Sequence, residues 1–249
     1  MVETVERIGR FTSSQIWKLT TLAKNGIDFG APALTYIEEK RAERSLGRSV
    51  DLGKGNQSTV WGNVMEYYCD KFHLGLEYKM ASKQTDVNPK YPFHSGTKDF
   101  TREEVAGDIK CFEPKKFYEL TMSLIKLNEE LITLEEFKKE EKEVYWQVVS
   151  NCIILGKPKG EIISYCPTES QLMQIRTEIE DTNILEKLGI DPWRARFIFE
   201  EPIHKLPYVK NPNFPNFTNY VFDIPTEDII FLTKCIRNAE KLLTNEATV

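Results

Sequence analysis

The sequence predicts a mixed α/β chain, a central mixed β-sheet flanked by α-helices, on three observations. Its first third carries apolar residues at helical spacing. Residues 76–112 then break into short segments separated by turn formers. A capped helical stretch follows at 133–156 and hands over to an apolar strand.

Each element has a local cause. "TSSQIWKLTTLA" (12–23) reads as a helix with a hydroxyl cap at Ser13 or Ser14. "PALTYIEEKRAERSLG" (32–47) reads as a second, opened by Pro32 and closed by Gly47. "STVWGNVMEYYCDKFHLG" (58–75) puts Val60, Trp61, Val64, Met65, Tyr68 and Phe72 at helical intervals. "LEYKMASKQ" (76–84), "FHSGTKDFT" (93–101) and "EVAGDIKCF" (104–112) form a predicted strand meander. In the 133–156 helix, Thr133 and Glu136 form a capping box and Gly156 a stop. "KGEIISYCP" (159–167) is a strand and "ESQLMQIRTEIEDTNILEKLG" (169–189) helical. The end reads strand "ARFIFEEP", irregular "NPNFPNFTN", strand "YVFDIP" and helix "TEDIIFLTKCIRNAEKLL".

Composition narrows the class. At 249 residues and 41% hydrophobic content, the chain can bury an ordinary core, and residues 1–249 are expected to form one domain. No run reaches the roughly 18 apolar residues of a membrane span. The start "MVETVERIGRF" is charged where a signal peptide is apolar, so the expected location is the cytoplasm, with no membrane partner. Five scattered cysteines without a C-x-x-C pair read as free thiols, mostly buried. With only three histidines, any bound metal must be held by carboxylates, which selects magnesium, with manganese able to substitute. The net charge of −5 neither selects nor excludes nucleic acid, because "EEKRAERSLGRS" is locally basic while "IRTEIED" carries acid. Tyr67, Tyr68, Phe72, Tyr145 and Trp146 read as core packing rather than a base-stacking platform.

The chemistry concentrates at "EVAGDIKCFEP". An acid-x-basic triplet occurs by chance about five times in a chain of this composition, so spacing alone leaves a solvated strand edge and a metal site both open. In a strand, Asp108 and Lys110 project from one face while Ile109 turns to the core. Asp99 lies upstream on a neighbouring strand, and Glu66 on the preceding helix. Three carboxylates, a main-chain carbonyl and a lysine suit a hard divalent cation and an activated water.

Four segments in order carry a resemblance: "RIGRFTSSQI" (7–16), "WGNVMEYYCDKF" (61–72), "SGTKDF...GDIKC" (95–111) and "YWQVVSNCIILGKPKGEIISYCP" (145–167). Together they resemble PD-(D/E)XK nucleases of the bacteriophage lambda exonuclease branch, the YqaJ-like viral recombinases. The resemblance implies a restriction-endonuclease-like core, with residues 168–215 as a family-variable insertion. It implies metal ligation by Asp99, Asp108 and the Ile109 carbonyl with help from Glu66, Lys110 as catalytic lysine, and Gln147 close by. It further implies a pocket of Arg7, Ser14 and Thr97 for a DNA 5′-phosphate. Read from its residues alone, "RIGRFTSS" is more simply a plain helix cap with exposed arginines than an anion site. Two positions depart from the family pattern: Lys98 replaces a proline, and Asp108 stands where glutamate is usual.

The activity so implied is magnesium-dependent 5′-to-3′ digestion of linear double-stranded DNA, exposing 3′ single strands for recombination. A single-strand annealing protein and a homo-oligomeric ring, a trimer, are the partners that go with it. The rival readings are an endonuclease of the same fold in repair or restriction, and a non-catalytic DNA-binding or inhibitory protein with a vestigial metal site.

Overall fold

The computed structural model describes residues 7–50, 57–81, 84–181 and 183–244. The charged stretch 1–6 and positions 82–83 of the predicted "LEYKMASKQ" strand lie outside the described residues. Five strands form the central sheet: β2 (Lys79–Met80), β5 (Phe100–Arg102), β6 (Val105–Lys110), β7 (Lys159–Tyr165) and β8 (Phe217–Asp223), in the order β2-β5-β6-β7-β8. The β6–β7 pair is parallel and the other pairs antiparallel, so the sheet is mixed as expected. A smaller sheet, order β1-β4-β3, joins Phe11–Thr12, His94–Gly96 and Asp86–Val87.

Helices cover both faces of the sheet. β6 and β7 are buried along almost their whole length, which requires apolar cover on each side. The two-residue period divides their side chains: Ala106 and Ile162 enter one core, Ile109 and Ile163 the other. The first core is built with α1 (Ala31–Leu46), α3 (Pro114–Asn128), α4 (Leu134–Glu140), α5 (Lys142–Leu155) and α9 (Thr226–Thr244). The second is built with α2 (Gln57–His73), α6 (Glu169–Asp181), α7 (Ile184–Lys187) and α8 (Pro192–Glu200). No helix among the described residues is long and apolar enough to cross a membrane.

Several local expectations are met. α1 has proline in its first turn and ends on Gly47 at φ 64°; α5 ends on Gly156 at φ 65°. Thr133 and Glu136 make the reciprocal capping box. All five cysteines are free and buried. Tyr68, Tyr145 and Trp146 are buried core residues, as expected.

Other expectations are overturned. "ARFIFEEP" is no strand: its residues continue α8, which has Pro192 in its first turn and buries Ala195 and Ile198, three positions apart. The helix at 12–23 is a 3-10 helix over Ser13–Thr20 preceded by strand residues, with Thr12 as N-cap and no side-chain capping bond. Ser13 is occupied elsewhere, its hydroxyl meeting Ser150 Oγ at 2.8 Å and Ser95 O at 3.4 Å. The 133–156 helix breaks at Glu141, where φ is −107° and ψ 43°. Lys138 before the break and Tyr145 after it both converge on the Asp228 carboxylate, a tertiary constraint invisible locally. α3 fills a stretch to which the sequence pattern assigned nothing, and β8 starts three residues before "YVFDIP". "FHSGTKDFT" contains two strands in different sheets, and the chain crosses between them at Thr97–Asp99.

Candidate active site

That crossing places Asp99 beside β6. Phe100 pairs with Gly107, and its ring occupies the space a Cβ on Gly107 would need, with ring carbons 2.0–2.6 Å from that position. The glycine therefore lets β5 press onto β6, which is one reason a strand would carry glycine just before its functional residue. Asp99 Oδ2 accepts a 2.6 Å hydrogen bond from the Ile109 N–H. Lys98 ion-pairs with Asp86 at 2.5 Å, so the lysine standing in place of proline ties the crossing to the smaller sheet.

Asp108 and Lys110 share one face of β6, as strand geometry requires. Lys110 Nζ lies 2.5 Å from Asp108 Oδ2. From α5, Gln147 reaches both: its Nε2 donates to Asp108 Oδ1 at 2.6 Å, and its Oε1 accepts from Lys110 Nζ at 2.9 Å. These two bonds fix the orientation of the amide. Asp108 is almost wholly buried, with the Lys110 ammonium set against its Oδ2 and the Gln147 amide against its Oδ1. Glu66, on α2 across the sheet, acts on the group through its charge.

The electrostatics are those of crowded acids. Desolvation first, and then the charges of Asp108 and Glu66, push the Asp99 carboxyl well above the ordinary carboxylate range, against the pull of Lys110 and the Ile109 N–H. Burial opposes the charged form of Lys110, but Asp108, Asp99 and Glu66 together outweigh it and hold its pKa above the usual lysine value. Lys110 is thus an ammonium at neutral pH, a donor and electrostatic stabiliser. Among the described residues, no three His, Cys, Asp or Glu side chains stand close enough to hold a metal ion as they lie.

Of the three positions expected to grip a phosphate, Arg7 and Ser14 line one cavity of about 530 Å³ with Gln15, Lys18 and Lys40. Lys40 is committed to Glu43 at 2.9 Å, and Glu43 also accepts from the Gly9 N–H. Thr97 is not among the residues lining that cavity; its hydroxyl meets Thr85 Oγ1 at 3.2 Å and its carbonyl accepts from Asn151. The sequence reading missed Asn151 and Gly107, the residues that seat the crossing and the strand. Gly107 had a readable signal, a glycine inside a strand pattern.

No protein-family model matches the chain, and neither does any curated protein sequence. Solved structures do match. The chain is similar to an alkaline exonuclease, LHK-Exo, from Laribacter hongkongensis, with TM-score 0.59 and 11% identity over 96% of this chain and 90% of that one. The structure of LHK-Exo in complex with dAMP matches at TM-score 0.59 and 12% identity, covering 97% and 91%. A phage-related exonuclease from Haemophilus somnus 129PT matches at TM-score 0.60 and 16% identity, covering 94% and 93%. At such identity the likeness shows a shared fold, the helix-flanked mixed sheet of these nucleases.

Proposed function

We propose that the protein is a magnesium-dependent deoxyribonuclease that digests linear duplex DNA from its 5′ ends, leaving 3′ single strands for recombination. One observation carries the reading: Glu66, Asp99, Asp108, Lys110 and Gln147, up to 81 positions apart in the chain, gather around the end of β6. The fold shared with exonucleases supports it.

The residues fit a hard divalent cation. Asp108 Oδ2 is a buried oxygen held against the Lys110 ammonium at 2.5 Å, and burial first, then the charges of Asp108 and Glu66, disfavour the ionised form of the neighbouring Asp99. A cation would add positive charge to this group and favour ionised Asp99. Asp99, Asp108, the Ile109 carbonyl and Glu66 would hold it, the carboxylates closing up from their described positions. Bound there, magnesium, or manganese in its place, supplies charge stabilisation for phosphodiester hydrolysis and acidifies its water. The chain's own part is more direct. Lys110 holds a positive charge where negative charge develops on the phosphoryl oxygens, and Gln147 fixes Lys110 and Asp108 relative to each other.

Arg7 and Ser14, sharing a cavity with Lys18, are the groups that would hold a terminal 5′-phosphate; Thr97, which does not line that cavity, would join them only if the 97–99 crossing shifted. That grip explains a preference for ends. An annealing protein would receive the single strand, and a trimeric ring would keep the duplex engaged; both belong to this reading.

The test is incubation of purified protein with linear and covalently closed circular duplexes, with and without magnesium. Metal-dependent loss of linear duplex alone is expected, faster from 5′-phosphorylated than from 5′-hydroxyl ends. Digestion of circles would assign an endonuclease, and inertness on every substrate would end the proposal. Equal rates on the two kinds of end would count against the Arg7 pocket.

A further inference from the structure

A second surface begins where the candidate active site ends. Phe112 follows Lys110 by two residues and is half-buried, with the Lys116 ammonium 4.6 Å from its ring centroid. Six positions farther on, Tyr118 is 54% exposed and stacks on Phe214, centroids 5.5 Å apart and ring planes 24° from parallel. Phe214 comes from the Asn- and Pro-rich loop at 211–216, for which the helix-and-strand pattern offers no use. It also lines a cavity of about 860 Å³ between that loop and the start of α6, where Lys210 and the amides of Asn211 and Asn213 are exposed.

We propose that this strip of Phe112, Tyr118 and Phe214 is a stacking surface for unpaired nucleobases, holding single-stranded DNA next to the catalytic cluster. Four arguments favour that occupant. Tyr118, exposed and backed by the partly buried Phe214 ring, offers a flat apolar face, and every base has a π-face to lay on it. Cations lie alongside: Lys115 and Lys116 face solvent, and their carboxylate neighbours Glu119 and Glu143 stand at 3.8 Å, pairs too loose and exposed to neutralise them. Asn211 and Asn213 in the cavity wall carry exposed amides that can bond base edges, although Asn211 Oδ1 already accepts from the Asn213 N–H at 3.0 Å. Position is the fourth. Four residues of extended chain and one helical turn separate Tyr118 from Lys110, so their Cα atoms are within about 20 Å. A strand leaving the cluster along α3 therefore meets Tyr118 early.

The proposal rests on the nuclease reading for its substrate, and the experiment separates the two. Binding of a fluorescein-labelled oligo(dT), and of an abasic oligomer of the same length, is measured by anisotropy in EDTA, where no digestion occurs. The parent is expected to bind oligo(dT) more tightly than the abasic strand. Tyr118→Ala should weaken oligo(dT) binding roughly tenfold, leave abasic binding unchanged, and keep its far-UV circular dichroism; Tyr118→Trp should restore affinity. Equal affinity of the parent for both strands, or unchanged oligo(dT) affinity in Tyr118→Ala, would overturn the stacking surface and leave the strip to a protein contact. A protein that digests duplex without base-dependent binding refutes this inference alone. One that binds with base dependence but never digests DNA refutes the nuclease reading alone.

Discussion

Two buried carboxylates on adjacent strands show opposite uses of the same chemistry. Glu161 on β7 is wholly buried and fully matched: Tyr78 Oη donates to it at 3.0 Å, Arg102 at 2.8 Å and Asn219 at 2.7 Å. Asp108 on β6 is as deeply buried, yet it faces two further acids and stands beside an Asp99 whose ionised form is disfavoured. A carboxylate ringed by donors secures a fold, whereas carboxylates gathered against each other weaken it and persist where something else is to be bound. The first arrangement is cross-bracing for β5, β7 and β8; the second is the one that the proposed cation site would use.

Substitutions can break or sharpen that contrast. The largest expected effect is on catalysis. Asp99→Asn should cut cleavage of linear duplex about a thousandfold, since a metal supplies several kcal/mol to the transition state and each 1.4 kcal/mol is tenfold. Its thermal midpoint in EDTA should stay level or rise, because a neutral amide of the same shape replaces a carboxyl whose ionised form is disfavoured there. A marked fall in that midpoint would place Asp99 with the structural carboxylates. Next, Glu161→Ala should cost about 2–3 kcal/mol in urea unfolding, as Arg102, Tyr78 and Asn219 lose their acceptor together. A loss below about 0.5 kcal/mol would remove the contrast.

The smallest effect concerns His94, which accepts or donates within a chain running through Ser150 to Ser13 beneath the Arg7 cavity. Burial pushes His94 from 6.5 to about 3. The unfolded chain therefore binds a proton that the native state refuses between those values, so stability is intact above pH 6.5 and falls as pH drops through the window. The slope is at most about 1.4 kcal/mol per pH unit. Unfolding curves at pH 5 and pH 7 should diverge less in His94→Gln than in the parent; equal divergence would show that His94 carries no such term.

Much of this was legible locally. Proline openings, glycine stops and the Thr133–Glu136 box act within a single turn of chain, so they read directly from sequence. The common face of Asp108 and Lys110 follows from strand periodicity alone. What escaped depends on distant partners. "ARFIFEEP" has strand-like composition, but its Ala195 and Ile198 are claimed by the core around α2 and α6. The break at Glu141 lies between two residues, Lys138 and Tyr145, that both bind Asp228, 87 positions after Glu141. Within the site, the common face of Asp108 and Lys110 and the nearness of Gln147 were readable from the sequence. The Gln147 bridge and the Ile109-to-Asp99 hydrogen bond were not, because both are products of packing between separate elements.

The central claim is that the crowded acids at the end of β6 are a divalent-cation site. Titration of the metal-free protein with manganese, followed by the loss of the free-ion paramagnetic resonance signal, addresses it directly. Saturable binding by the parent, displaced by magnesium and greatly weakened in both Asp99→Asn and Asp108→Asn, is expected. Absence of binding by the parent, or binding untouched by either substitution, would contradict it.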